Sequence, residues 1–211
     1  YVKSLHNLAM NYMAMGNYEK AEPLHLETIA LWEKVLGKDH PYYPQVLNNI
    51  ALLYYDMGNY EKAEPLYLEA MAIWEKVLGK EHPDYAQSLN NLAIMYYVMG
   101  AYEKAEPLHL ETKAIWEKVL GKEHPNYATS LNNLGILYES MGTYEKAEPL
   151  LLEAKTIREK VLEKEHPEYA QSLNNLANHY KDMGAYEKAE PLYLEAKAVR
   201  EKVLGKEHPD Y

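Results

Sequence analysis

The sequence predicts an all-α fold, an array of five stacked helix pairs, and three observations carry that prediction. A block of 42 residues recurs five times: Met-Gly, followed one residue later by Tyr-Glu-Lys-Ala-Glu-Pro-Leu, starts at Met15, Met57, Met99, Met141 and Met183. His-Pro recurs at the same interval, at His40, His82, His124, His166 and His208. Within each block, apolar residues fall at helical spacing in two runs separated by glycine. A unit of this size cannot bury its own apolar face and stabilises by stacking on its neighbours. The period therefore outweighs the length, which alone would allow one or two globular domains. Residues 1–211 are expected to form a single array, with repeats at approximately 1–42, 43–84, 85–126, 127–168 and 169–211.

Residues 83–121 stand for all five repeats. Pro83 suits a first helical position, where its missing N–H costs nothing. His82 is then the N-cap, and Asp84 sits favourably on the positive helix end. Leu89, Leu92, Ala93 and Tyr96 form the apolar stripe of helix A, and Gly100 supplies the left-handed residue that ends it, giving a helix near 84–99. Helix B begins near Tyr102, with a stripe of Tyr102, Ala105, Leu108, Thr112, Ile115 and Val119, and closes at Gly121 after about 18 residues. Gly37, Gly79 and Gly205 repeat that stop, whereas Glu163 replaces it and predicts a slightly longer helix in the fourth repeat. Pro107, like Pro23, Pro65, Pro149 and Pro191, opposes the assignment, because an interior proline costs about 3 kcal/mol. Its five recurrences predict a helix that bends and survives.

Composition narrows the function classes. The formal charge is −10, which argues against nucleic acid or an anionic membrane as partner, since both reward net positive charge. No run of apolar residues is long enough to span a bilayer, and no signal-peptide pattern is present. Cysteine is absent, which excludes disulfides and thiolate metal sites and is compatible with a reducing compartment. A cytoplasmic location is expected. The chain opens with Tyr1, in the same phase as Tyr43, Tyr85, Tyr127, Tyr169 and Tyr211. It reads as a segment of a longer array. The high internal similarity points to recent duplication or consensus design, and irregularities such as Tyr42-Tyr43-Pro44 favour a natural source.

Leu89-x-x-Leu92-Ala93-x-x-Tyr96, followed by Gly100, Tyr102 and Ala105, resembles the tetratricopeptide (TPR) pattern of two antiparallel helices, whose ordinary repeat has 34 residues. The wording Leu131-Asn132-Asn133-Leu134, Tyr144-Glu145-Lys146-Ala147-Glu148-Pro149-Leu150 and Lys160-Val161-Leu162 through His166-Pro167 is similar to the 42-residue repeats of kinesin light chains and related arrays. This resemblance covers the whole chain. It implies a right-handed α-solenoid of five TPR-like repeats, ten helices in all, with A helices on the concave side. It implies no particular partner, because the repeat type is widely reused.

At about 100° per residue, Gln87, Asn91, Ile94 and Val98 point away from the helix-A stripe, flanked by Asn90 and Tyr97. Repeat two offers Gln45, Asn49, Leu52 and Asp56 there, flanked by Asn48 and Tyr55. Repeat four offers Thr129, Asn133, Ile136 and Ser140, next to Asn132. A ladder of amides thus runs beside an apolar band. Amides supply both donors and acceptors, as an extended peptide backbone requires, and the apolar residues beside them can anchor side chains. The expected site is therefore Asn48, Asn49, Leu52, Tyr55, Gln87, Asn90, Asn91, Ile94, Tyr97, Asn132, Asn133 and Ile136. The alternative is that the amides bond neighbouring helices and the apolar band packs between repeats. In the TPR family, grooves that clamp acidic tails carry Lys or Arg on these positions. Here only Lys3 and Lys181 occur, so a neutral or basic segment is expected.

No catalytic, metal or cofactor role is expected. The five His-Pro histidines repeat, which suits a capping role, whereas catalysis needs a unique constellation. His25 and His109 alternate with Tyr67 and Tyr193 at one helix-B position and read as packing residues, while His6 and His179 stand isolated. Trp32, Trp74 and Trp116 share a helix-B position with Arg158 and Arg200, which reads as an interface margin; a tryptophan ligand cage is the alternative. The chain is thus read as a non-enzymatic scaffold binding a peptide or protein in the helix-A groove. The rival readings are a self-associating array stacked head to tail, a consensus-like array with no specific ligand, and a regulatory segment of a larger signalling or motor-associated protein.

Overall fold

The computed structural model describes residues 1–38, 40, 42–162 and 164–204. Among these residues there are ten α-helices and no strand: α1 (Val2–Ala14), α2 (Tyr18–Leu36), α3 (Tyr42–Asp56), α4 (Tyr60–Leu78), α5 (Pro83–Val98), α6 (Tyr102–Leu120), α7 (Pro125–Ser140), α8 (Tyr144–Val161), α9 (Pro167–Asp182) and α10 (Tyr186–Leu204). Odd-numbered helices are the A helices of the repeats and even-numbered helices the B helices.

The helix ends follow from the chemistry of the repeated loops. His82, His124 and His166 each accept, at Nδ1, the backbone N–H two residues on, at 3.2, 3.1 and 3.2 Å. Tyr42 N–H donates to His40 in the same way at 3.2 Å. This occupies one of the donors that a helix start leaves unpaired. The equivalent cap at His208 and the stop at Gly205 lie outside the described residues. Gly100 and Gly121 have φ of +73° and +85°, a conformation that a Cβ would disfavour. Each B helix runs unbroken through its proline, although Pro107 leaves the Glu103 carbonyl without its intrahelical donor.

Two expectations are corrected. Without glycine at its stop, α8 was to be the longer helix; it has 18 residues where α6 has 19, and Leu162 is already extended at φ −110°, ψ 111°. Glu163 itself lies outside the described residues. The helix-B stripe is also rotated: Val119 is 41% exposed, while His109, Thr112 and Trp116 are buried with Ala105 and Ile115. The inward face therefore includes His109 and Trp116, which the predicted stripe leaves out, and excludes Val119.

The chain forms two compact units, residues 1–99 and 100–211. In the N-terminal unit α1 packs on α2, α2 on α3, α3 on α4 and α4 on α5, and the A helices α3 and α5 also touch. The C-terminal unit repeats this order from α6 to α10, with α7 against α9. Its apolar core repeats as well. Tyr127, Leu131 and Ala154 cluster with Leu150 and Ile157, and one repeat later Tyr169, Leu173 and Ala196 cluster with Leu192 and Val199. Each fully buried leucine in these layers contributes about 2 kcal/mol.

A tyrosine–glutamate contact also recurs. Tyr54 O–H donates to Glu22 at 2.8 Å, Tyr138 to Glu106 at 2.9 Å and Tyr180 to Glu148 at 2.9 Å, and Tyr96 donates to Glu64. Each bond ties helix A of one repeat to helix B of the repeat before it. Burial first, then the glutamate partner, pushes Tyr54, Tyr138 and Tyr180 up to about 12. The second glutamate of Tyr-Glu-Lys-Ala-Glu-Pro is thus an inter-repeat acceptor. The lysine of the next copy of the motif covers the same tyrosine ring, with Lys62 Nζ 4.7 Å from the Tyr54 centroid and Lys146 Nζ 4.9 Å from that of Tyr138.

Candidate functional site

In the N-terminal unit, the outward side of α3 carries Asn48, Asn49, Leu52 and Tyr55, and that of α5 carries Gln87, Asn90, Asn91, Ile94 and Tyr97. Asn91 Nδ2 donates to Asn48 Oδ1 at 3.3 Å, and Gln87 Nε2 donates to Asn91 Oδ1 at 3.0 Å. Asn49 Nδ2 lies 3.4 Å from His6 Nε2. In the C-terminal unit Asn175 Nδ2 donates to Asn132 Oδ1 at 2.9 Å. The second asparagine of a repeat therefore reaches back to the first asparagine of the repeat before it. Asn90 and Asn132 are only 3% and 2% exposed and act within the protein. Gln87 is exposed, whereas Asn48, Asn49, Asn91, Asn133, Leu52, Tyr55, Ile94, Tyr97 and Ile136 are half-buried. Leu52 packs against the Met13–Leu53 cluster, and the rings of Tyr55 and Tyr60 lie 5.9 Å apart.

A cavity of about 230 Å³ opens between α3 and α5 above Trp74 of α4. Gln45, Asn48 and Asn49 line one side, and Asp84, Gln87 and Ser88 the other. One repeat earlier, a cavity of about 210 Å³ lies between α1 and α3 above Trp32, lined by Lys3, His6, Asn7, Tyr42, Gln45 and Val46. Every residue of the second set precedes its counterpart in the first by 42 positions. Trp32, Trp74, Trp116 and Arg158 are 9%, 6%, 1% and 2% exposed. This position is therefore not an interface margin: a bulky residue is needed inside the repeat stack, and in the N-terminal unit it forms the cavity floor.

Arg158 shows what the same place holds in the C-terminal unit. Its Nη1 donates to Ser172 Oγ at 2.8 Å and to the Glu168 carbonyl at 3.3 Å, and its Nη2 donates to Thr129 Oγ1 at 2.9 Å. Its Nε lies 3.5 Å from Glu168 Oε2. Thr129, Glu168 and Ser172 occupy the repeat positions of Gln45, Asp84 and Ser88. Burial pushes the guanidinium's pKa down and the Glu168 charge opposes that shift.

The remaining histidines are accounted for by packing. Burial pushes His25 and His109 down to about 4, with His6 adding to the effect at His25. His25 Nε2 lies 3.1 Å from Met13 Sδ. His6 and His179 are not isolated: His6 faces the His25 ring at 5.9 Å, and His179 Nδ1 lies 3.0 Å from Glu139 Oε1. Burial, then Asp182, raises Glu139 to about 7, and burial lowers His179, so the imidazole is held towards its neutral form beside a carboxyl that titrates near neutrality. Among the described residues, no three His, Cys, Asp or Glu side chains converge in a way suited to a metal ion, and no helix is long and apolar enough to cross a membrane.

Sequence reasoning named the outward face but missed the cavity residues Gln45, Trp74, Asp84 and Ser88 as a group. The available signal was the exchange of tryptophan for arginine at a single repeat position.

Two family models of the tetratricopeptide repeat match the chain, one over residues 42–112, 88–160, 139–202 and 168–211 and the other over 2–42. Among solved structures, a Podosopora anserina candidate kinesin light chain of nearly identical TPR-like repeats is 30% identical, covers 95% of both chains and superposes with a TM-score of 0.80. BtubC (BKLC) from P. vanneervenii is 27% identical over 99% of this chain and 82% of its own, with a TM-score of 0.84. A Rap protein complexed with Competence and Sporulation Factor shares the fold at 18% identity, covering 94% of this chain and 54% of its own, with a TM-score of 0.79. No curated protein matches.

Proposed function

The chain belongs to the tetratricopeptide repeat family, and from that premise we propose that it is a non-enzymatic scaffold binding an extended peptide or protein segment along its helix-A face. Repeats of this family generally serve protein interaction. The observation that supports the finer reading is the open cavity between α3 and α5, with half-buried Asn49, Asn91 and Ile94 beside exposed Gln87. Gln87 and Asn91 still have donor and acceptor capacity beyond the bonds they make to each other and to Asn48, which suits a backbone offering one N–H and one C=O per residue. Leu52, Tyr55, Ile94 and Tyr97 give such a segment apolar anchors. Asn90 and Asn132, buried and engaged inside the protein, position the face without touching the segment. The net charge of −10 favours a neutral or basic partner and speeds its encounter.

Titration with acidic, neutral and basic peptide pools tests this. Neutral or basic peptides should bind, and Ile94→Ser should weaken them by about tenfold, corresponding to the loss of one anchor. A preference for acidic peptides, or affinity indifferent to Ile94→Ser, would overturn the site.

Homotypic stacking is a second reading. Tyr186 and Leu194 of α10 are 67% and 60% exposed, a face that helix A of a second copy could cover. Light scattering over a concentration series decides it, since a strictly monomeric profile removes it.

A further inference from the structure

We infer that the cavity above Trp74 is a receptor for the guanidinium of an arginine side chain carried by the bound segment. The inference rests on the helix-A face being the binding face, and it adds the chemical identity of one anchor. Its basis is an occupant that the chain itself supplies elsewhere. In the C-terminal unit the Arg158 guanidinium is held by Thr129, Ser172 and Glu168. At the matching positions of the N-terminal unit stand Gln45, Ser88 and Asp84, all lining the cavity, and the residue at the place of Arg158 is Trp74. Each of these positions still offers an acceptor, the Gln45 amide oxygen in place of the Thr129 hydroxyl, the Ser88 hydroxyl in place of that of Ser172 and the Asp84 carboxylate in place of Glu168, and a cavity of about 230 Å³ lies among them above the indole.

The chemistry selects arginine over lysine. Three acceptors spread around a cleft match the planar fork of five donors, whereas an ammonium is a compact point charge that meets fewer of them at once. Hydrogen bonds from a guanidinium to a carboxylate are among the strongest that a protein makes. Ser88 is 1% exposed and so is held in place before any ligand arrives, while Asp84 remains open enough to meet an incoming cation.

The cavity one repeat earlier does not share this character. There Lys3 stands for Gln45, Tyr42 for Asp84 and Val46 for Ser88. The carboxylate and the hydroxyl are gone and an ammonium is added, with Lys3 Nζ 5.8 Å from the Tyr42 ring centroid. The Tyr42 ring also stacks on Trp32 at 5.7 Å. The arginine preference therefore belongs to the Trp74 cavity.

The test uses the full chain and four twelve-residue peptides of glycine, serine and alanine that differ in one central residue: arginine, citrulline, lysine or glutamate. Binding is followed through the side-chain amide resonances of Gln45 and Gln87. The arginine peptide should bind at least about tenfold more tightly than the citrulline peptide, which keeps the shape and loses the charge, and more tightly than the lysine peptide. Trp74→Arg should fill the cavity from within and abolish the arginine preference, as should Asp84→Asn, whose exposed side chain leaves folding intact. Trp32→Arg should leave the preference unchanged. Equal affinity for arginine and citrulline in the wild-type chain, or a preference that survives Asp84→Asn, overturns the inference. If the peptide pools bind and respond to Ile94→Ser but show no arginine preference, the binding face stands and the arginine pocket falls. If no peptide of any charge binds, both fall.

Discussion

The space between successive A helices is handled differently in the two units: Gln45, Asp84 and Ser88 line a cavity above Trp74, whereas Thr129, Glu168 and Ser172 at the corresponding places in the C-terminal unit are bonded by Arg158. Part of the cause lies beneath the A helices. One residue of helix B, tryptophan in the first three repeats and Arg158 in the fourth, projects from beneath and decides whether the acceptors between successive A helices are open or already engaged. Reading the face alone therefore misjudges it. In an array whose layers each rest on the next, the packing layer and the face residues together set what a surface offers, as the Trp32 cavity, with Tyr42 and Val46 in place of Asp84 and Ser88, also shows.

The strongest challenge to this comparison is to exchange the two packing solutions. Arg158→Ala should destabilise the chain by about 2–4 kcal/mol, because it empties a buried position and strands acceptors that the guanidinium satisfied. Arg158→Trp should cost far less, since three repeats already use that residue. Chemical denaturation measures both, and a tryptophan variant as unstable as the alanine variant would show that the repeats are not interchangeable at this position.

Acid should act on both units alike. His25 and His109 are buried in helix B, one in each unit, with pKa values lowered from 6.5 to about 4. The unfolded chain takes up protons below pH 6.5 while the folded chain does not, so the stability held above 6.5 is lost as pH falls to about 4. Each histidine should account for about 3 kcal/mol. Replacing both with tyrosine, the residue at the equivalent position 67, should flatten that part of the melting-temperature profile. An unchanged profile in the double variant would contradict the assignment.

The smallest expected effect concerns the staple shared by both units. Tyr54→Phe and Tyr138→Phe each remove one tyrosine–glutamate bond and should cost about 1 kcal/mol apiece. The sites share no partner, so the double variant should lose the sum. A clear departure from additivity would show that the two units communicate through something other than these bonds.

Much of the fold was legible from the period. The helix pairs, their histidine caps and their glycine stops follow from residues whose conformational needs are strong and local, as His82 and Gly100 show. Helix B is harder, because its inward face runs through His109 and Trp116 as well as Thr112, and a stripe drawn without those two drifts towards Val119. The end of α8 is not legible in the sequence, because a missing glycine suggests a longer helix, whereas the chain turns extended at Leu162 regardless. The face itself was found by angular reasoning on a single helix. That reasoning could not see that Asn91 reaches Asn48, 43 residues away, or that Asn90 and Asn132 are covered. Nor could it see the cavities, since their floor comes from a different helix. Contacts at one period plus or minus a residue are where a repeat protein hides its site.

The most direct test of the central claim, that a segment lies along the helix-A face, is to map the wild-type chain by nuclear magnetic resonance while titrating the basic peptide pool. The side-chain amides of Asn49, Gln87 and Asn91 and the methyl groups of Leu52 and Ile94 should shift together and saturate with one midpoint. Shifts confined to exposed helix-B residues such as Leu68, Leu110 and Val119, with the amide signals unmoved, would contradict it.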